Sequence, residues 1–151
     1  MTEDNPIEVL SRTVEGVRSA TEAVPGERMV NKPSPDEWSA RQVLAHLFDA
    51  EMVYGVRIRM ILTADRPPIP AYDEDAWAAR FSDLDETPRQ IYLRWKWLRE
   101  ANLRLYLSIT AEEWDRVGIH SERGEESVRM IVSLIASHDQ AHLEQLQRIL
   151  S

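Results

Sequence analysis

The sequence predicts an all-α protein folded as a four-helix bundle. Four long segments carry apolar residues at the three- and four-residue spacing of amphipathic helices. Helix-start signals precede the first three of these segments, and connections containing proline or glycine separate the four. No alternation of apolar and polar residues is long enough to predict a strand. Four such helices need a shared interior, which a bundle provides.

The first two helices have recognisable start signals. Asn5 precedes a proline, as is typical of an N-cap followed by proline at the first helical position, and this helix is expected to end before Pro25. Ser39 and Gln42 have the spacing of a capping box. The second helix is therefore expected to run from there to about Thr63.

The connection after the second helix is rich in proline. Pro67, Pro68 and Pro70 lack backbone donors, so residues 64–72 are expected to be irregular. A short extra helix is predicted around Asp75 to Phe81.

The third helix begins at a second capping box, formed by Thr87 and Gln90, and a short extra turn is expected from Thr110. Its predicted apolar stripe is Ile91, Trp95, Leu98, Leu105 and Ile109. The fourth helix is expected from about Ser127 to Leu150. The three connections are longer than tight hairpins need, so they permit crossovers without requiring them.

Length and composition indicate one soluble domain, residues 1–151. The net charge of −8 disfavours nucleic acid as a partner. No apolar stretch of about 18 residues predicts a membrane span, and Met1 to Asn5 do not resemble a secretory signal. The chain has no cysteine, which excludes thiolate catalysis and is consistent with a cytoplasmic protein.

Three of the four histidines lie on predicted inward-facing stripes. His138 and His142 are four residues apart on one face of the fourth helix, and His46 lies on the apolar face of the second. Three neutral imidazoles can bind one divalent metal ion and leave coordination positions open. The alternative is three core histidines, each with a separate hydrogen-bonding partner. A zincin site lacks its downstream third ligand here, and a di-iron site lacks paired Glu-x-x-His motifs.

Three segments of the sequence form a recognisable set: the run Trp38–Leu47, the residues Pro70–Glu74 with Ala76 and Trp77, and the pair His138 and His142. Together they resemble the DinB/YfiT-like superfamily. The resemblance extends from about Trp38 to Leu150, and it includes the single histidine on the second helix and the spaced pair on the fourth.

This resemblance implies a bundle with crossover connections, often a homodimer, that binds one zinc or nickel ion, or iron or a similar ion, through the three histidines. Some members join a low-molecular-weight thiol such as bacillithiol, mycothiol or glutathione to an electrophile, or isomerise a substrate with it. Others are regarded as metal-dependent hydrolases. The expected function is therefore activation of a thiol or of water at a mononuclear site. The alternative is a non-catalytic interaction or stress protein with a structural or vestigial metal site.

Four further residues are candidates for the pocket or for support of the ligands. Tyr54 and Arg57 continue the His46 face, where Arg57 can bind a substrate carboxylate; the alternative places Tyr54 at the core edge and Arg57 in a surface ion pair. Asp49 is one turn beyond His46 and can orient it or face solvent. His120 is expected on a glycine-flanked loop, at the pocket mouth or simply exposed.

Overall fold

The computed structural model describes residues 4–151, which form six α-helices, one 3₁₀ turn and three short strands. In chain order they are α1 (Pro6–Thr21), α2 (Gly26–Val30), α3 (Ala40–Thr63), β1 (Pro68–Ile69), α4 (Glu74–Phe81), α5 (Pro88–Ser108), the 3₁₀ turn (Glu113–Asp115), β2 (Val117–His120), β3 (Gly124–Ser127) and α6 (Val128–Leu150). The four long helices are α1, α3, α5 and α6, and the short α2, α4 and 3₁₀ turn lie in the connections. The predicted four-helix bundle with short extra helical turns is confirmed.

The predicted caps are present at the starts of the long helices. The Asn5 side chain accepts a hydrogen bond from the second residue of α1. Ser39 and Gln42 form a reciprocal capping box at α3, and Thr87 and Gln90 form another at α5. Each cap satisfies backbone donors that the first helical turn leaves free.

The long helices are connected across the bundle. α1 packs against α5 and α6, and α3 packs against the same two helices, whereas α1 and α3 have few contacts with each other. The order around the bundle is therefore α1, α6, α3, α5. The connections from α1 to α3 and from α5 to α6 both join diagonal corners, so the crossovers that the sequence left undecided are present.

A small three-stranded sheet was not predicted from the sequence. β1 is parallel to β2, and β2 is antiparallel to β3. The carbonyls of Pro67 and Ile69 accept hydrogen bonds from the backbone N–H groups of Ile119 and Ser121, at 2.8 and 3.0 Å. An edge strand can pair through its carbonyls alone, so the missing proline N–H groups do not prevent pairing. The prediction of irregular structure throughout residues 64–72 is therefore wrong at β1.

Gly118 allows β2 to lie close to α3. A Cβ atom at this position would collide with the side chain of Ile69 and would lie 3.0 Å from Cγ1 of Ile61 on α3. Since alternate residues of a strand share a face, His120 points from β2 toward the same side of the sheet, which faces α3.

A layer of buried polar residues divides the apolar core into two parts. One apolar cluster includes Leu10, Tyr54, Ile58, Tyr106 and Ile131, and the other includes Val17, Leu44, Trp95 and Leu146. Between them, each long helix contributes buried polar side chains, which we call the polar layer: Thr13, Glu51, Arg99, Asn102 and Asp139.

The buried face of α5 differs from the predicted stripe. Arg99, Asn102 and Tyr106 are fully buried, whereas Leu98 and Leu105 are only partly buried. The buried face of α5 is rotated relative to the predicted stripe, because residues of the polar layer, rather than leucines, occupy the middle of the bundle. Within residues 4–151, no helix is long and apolar enough to cross a membrane.

Candidate metal centre

The structure brings His46, His138 and His142 together. His46 projects from α3 and is only 1% exposed, while the other two lie one turn apart on α6 and are partly exposed. One nitrogen from each ring lies within 4.8 Å of the other two, and the Nε2 atoms of His46 and His138 are 2.8 Å apart.

Two of these rings are held by hydrogen bonds on their outer side. Nδ1 of His138 lies 2.8 Å from Oδ1 of Asp139, and Nδ1 of His142 lies 2.8 Å from Oε1 of Gln145. Because these oxygens accept hydrogen bonds, each Nδ1 carries the proton and each Nε2 presents its lone pair to the cluster. This arrangement is the usual support for metal-binding histidines.

Burial favours the uncharged form, which metal binding requires, in the rings of His46 and His142. It lowers the pKa of His46 to about 3, with a further contribution from the neighbouring His138 and His142. Burial likewise lowers the pKa of His142. Both imidazoles are therefore neutral near pH 7, so protons do not compete for them.

The donor set fits one divalent ion. Among residues 4–151, the cluster of potential ligands contains the three histidines and no fourth histidine or carboxylate. A closed structural zinc site needs four protein ligands, whereas three ligands with partial exposure leave positions for an exogenous molecule. Three imidazoles suit zinc, nickel, iron or copper.

The polar layer supports the histidines from behind. Arg99 donates from Nε and Nη2 to Oε2 of Glu51, at 3.0 and 2.6 Å, and its Nη2 also forms an ion pair with Asp139. Its Nη1 donates to the Leu10 carbonyl at 3.0 Å. Burial alone would raise the pKa of Asp139, but Arg99 and the contact with His138 outweigh it and hold that pKa below its usual range. Asp139 thus remains an anion that can hold His138.

Sequence reasoning did not identify these supporting groups. Arg99 and Glu51 are charged residues at buried helical positions, and that conflict with the apolar pattern was the available signal. The structure also adds Trp38, whose ring centre is 4.9 Å from that of His46 and 6.2 Å from that of His142. Trp38 therefore forms an apolar wall beside the cluster.

Replacing Gln145 with methionine is expected to weaken metal binding about tenfold, because His142 loses the acceptor that orients it. The measurement is competition with a chromophoric zinc chelator. The matched control is Gln147→Met, two residues further along α6 at an exposed position. Equal affinities of the two variants would show that Gln145 does not orient the ring.

Tyr54 and Arg57 lie next to the histidines along α3. Tyr54 is buried, and its ring centre is 6.3 Å from that of His138. The guanidinium carbon of Arg57 is 5.2 Å from the Tyr54 ring centre. Arg57 is only 4% exposed and donates from Nη2 to the Pro70 carbonyl at 2.7 Å. The alternative of a surface ion pair for Arg57 is therefore wrong.

His120 is a buried residue at the end of β2, so the expectation of a loop position and the alternative of simple exposure are both wrong. It is 3% exposed, because pairing of β2 with β1 turns its side chain toward α3. Its Nδ1 accepts hydrogen bonds from the backbone N–H groups of Glu122 and Arg123, each at 3.1 Å.

Asp49 neither orients His46 nor faces solvent, because its side chain is buried. It forms no hydrogen bond with His46 in the described part of the chain, and its buried Oδ2 has no partner there. It lines an apolar cavity of about 370 Å³ with residues of α3, α4 and α5, including Met52, Trp77 and Phe81. Burial raises the pKa of Asp49 to about 6, against a smaller opposing effect of Arg94.

This shift predicts a pH-dependent cost in stability. The folded state holds the Asp49 proton more tightly than the unfolded state, so the contribution of this group is fully favourable below about pH 4 and is lost as the pH rises through 6. Asp49→Asn is expected to raise the free energy of unfolding by about 1–2 kcal/mol at pH 7.5 and by almost nothing at pH 4.

Urea unfolding of both proteins at the two pH values measures this difference. Asp65→Asn, at an exposed position after α3, is the control and is expected to have no such effect. A gain from Asp49→Asn that is equal at both pH values would contradict the assignment.

Comparisons with known proteins agree with this fold. The family model described as the DinB superfamily matches residues 10–146. Two curated relatives carry the name "Putative metal-dependent hydrolase". The one from Oceanobacillus iheyensis is 29% identical over 117 residues, 76% of this chain and 65% of its own length. The one from Bacillus licheniformis is 29% identical over 139 residues, 87% of this chain and 75% of its own length. The chain thus spans slightly less than two thirds of the first relative.

A solved structure shares the architecture. YfiT from Bacillus subtilis, described as a probable metal-dependent hydrolase with an unusual four-helix bundle topology, superposes with a TM-score of 0.88. The match covers 97% of this chain and 84% of YfiT at 23% sequence identity. At that identity the likeness establishes the fold.

Proposed function

Because the chain belongs to the DinB superfamily, we propose that it is a metal-dependent enzyme that activates a small-molecule thiol for transfer to an electrophile. His46, His138 and His142 would hold one divalent ion, zinc or nickel. The observation that carries this proposal is the cluster of three imidazoles with an open side. The metal-dependent activity in the names of the curated relatives supports the ion.

A bound divalent ion supplies a Lewis acid that lowers the pKa of a thiol or a water molecule bound to it. The chain's own residues position that chemistry. Asp139 and Gln145 fix the orientation of His138 and His142, and Trp38 limits the access of water on one side. With no cysteine in the sequence, any thiol is a small-molecule cosubstrate.

The surroundings of the cluster favour a thiol over water as the nucleophile. A thiol has an unperturbed pKa of about 8.5 and water one of about 15.7, so the thiol needs less help to ionise. Hydrolysis usually adds a general base beside the metal. Asp139, which contacts His138, is occupied by that ring and by Arg99 on the outer side of the cluster. In residues 4–151, no carboxylate belongs to the cluster itself.

Hydrolysis is the second candidate, favoured by the names of the relatives. Two assays of zinc- and nickel-loaded protein separate the candidates. In one, bacillithiol, mycothiol or glutathione is supplied with an epoxide or a chloronitroarene; in the other, activated esters are supplied without thiol. We expect metal-dependent thioether formation that is lost on chelation. Metal-dependent ester cleavage without thiol transfer would favour the hydrolase. Metal binding without turnover in either assay would favour a non-catalytic bundle.

A further inference from the structure

Three buried hydrogen-bond donors near the histidine cluster lack partners among the described residues. They are Nε of Arg57, the hydroxyl of Tyr72 and Nε2 of His120. Because Nδ1 of His120 accepts two backbone N–H groups, the neutral ring carries its proton on Nε2 and is a donor there. Leaving a buried donor without an acceptor costs about 1–3 kcal/mol, so three in one region call for an explanation.

The fold brings these donors into one region beside α3. The guanidinium carbon of Arg57 is 5.9 Å from the Tyr72 ring centre, and Arg57 also bonds to Pro70 two residues before Tyr72. β1 leads directly into this segment, and its Ile69 pairs with His120 of β2. His120 faces α3 on the same side of the sheet as Gly118, which lies against Ile61, one helical turn from Arg57. The small sheet thus brings Tyr72 and His120 to the side of α3 on which Arg57 lies.

The Arg57 guanidinium has no ion-pair partner among the described residues. In the described part of the chain, no carboxylate oxygen lies within 4.0 Å of the Arg57 guanidinium nitrogens, and Glu126, which is nearby, is paired with Arg123 at 2.5 Å. Burial lowers the pKa of Arg57 from its usual high value, but an arginine remains charged near neutral pH. One cation with two neutral donors matches a group of single negative charge that accepts through two oxygens, which is a carboxylate.

We propose that Arg57, Tyr72 and His120 form a binding subsite for a carboxylate group of the molecule that reacts at the histidine cluster. Tyr54 connects the two sites, since its ring lies 6.3 Å from the ring of His138 and 5.2 Å from the Arg57 guanidinium carbon. Together, these two distances limit the separation between a carboxylate bound at Arg57 and the atom of the same molecule that reacts at the histidine cluster. The reactive role of the bound molecule rests on the proposed function, whereas binding of a carboxylate does not.

Butyrate is the probe, and its affinity is measured by NMR titration of the full chain, both zinc-loaded and treated with chelator. We expect the wild-type protein to bind butyrate in both forms and more tightly than inorganic phosphate. Tyr72→Phe and His120→Asn are each expected to weaken binding about tenfold, and Arg57→Gln by more than that. In His120→Asn, the asparagine oxygen can replace Nδ1 as the backbone acceptor, while the shorter side chain places no donor at the position of Nε2.

Arg116→Gln is the matched control, because it removes an arginine whose Nε and Nη2 already donate to the Ile61 and Ala64 carbonyls. It is expected to leave butyrate affinity unchanged. Tyr72→Phe removes a hydroxyl that has no partner, so its melting temperature without butyrate is expected to equal or exceed that of the wild type. Tyr72→Phe therefore keeps the test decisive if Arg57→Gln does not fold.

Three results would overturn the subsite: no butyrate binding, an affinity that the three substitutions do not change, or tighter binding of phosphate. Zinc content of the same samples tests the metal site separately. Butyrate binding that depends on Arg57 in a protein without zinc affinity would support the subsite and contradict the proposed function. Zinc binding without butyrate binding would support the metal site of the proposed function and contradict the subsite.

Discussion

Zinc or nickel binding is expected to be lost in His142→Ala. The wild-type protein, purified without chelators, is expected to contain about one divalent ion per chain, because one nitrogen from each of three imidazoles lies within 4.8 Å of the other two. Removing one leaves two ligands, fewer than a mononuclear site of this kind uses. The loss of affinity is expected to exceed the roughly 10–100-fold effect of removing a supporting group.

Elemental analysis by inductively coupled plasma mass spectrometry measures this result. The matched control is His120→Asn, which replaces the fourth histidine of the chain at a position that the cluster does not include. It is expected to retain metal at the wild-type level. Equal metal content in His142→Ala and the wild type, or equal loss in both variants, would contradict the site.

Arg99→Met is expected to lower the free energy of unfolding by about 3–5 kcal/mol. Arg99 is fully buried and pairs with Glu51 and Asp139, both of which are also buried. Methionine fills a similar volume but leaves two buried carboxylates without their cation. The loss is expected to be smaller at pH 5 than at pH 7.5, because protonation relieves the uncompensated charge.

Urea unfolding followed by circular dichroism measures this effect. Arg104→Met, at an exposed position on the same helix, is the control and is expected to change the free energy by less than about 0.5 kcal/mol. If Arg99→Met does not fold, Arg99→Lys keeps the charge but loses the forked geometry, and an intermediate loss is expected. A loss no larger than that of Arg104→Met would show that the polar layer does not stabilise the bundle.

Most of the helical framework was predictable because its determinants are local. The caps at Asn5, Ser39 and Thr87 and the apolar spacing behind them depend on residues within a few positions of each other. The small sheet was not predictable, because β1 is two residues long and pairs with β2 some fifty residues later. Such a strand has no periodicity of its own.

The three histidines were predictable as a set because helical spacing and the family resemblance both indicated them. Their support was harder to recognise, because Arg99 and Glu51 pair with each other and with groups on other helices, including Asp139 and the Leu10 carbonyl. The local sequence shows at most a charged residue at an apolar helical position, and it does not show the partners that make burial of that charge possible. The position of His120 was also predicted wrongly because its burial depends on residues distant in sequence. These are β1, which pairs with β2, and α3, whose close approach Gly118 permits.

X-ray absorption spectroscopy of the zinc-loaded protein counts the ligands of the ion and so tests the three-histidine site itself. We expect a single zinc with three imidazole nitrogens at about 2.0–2.1 Å and light atoms from solvent completing the shell. Fewer than three imidazoles, or a second metal at about 3.5–4 Å, would contradict a mononuclear site on His46, His138 and His142.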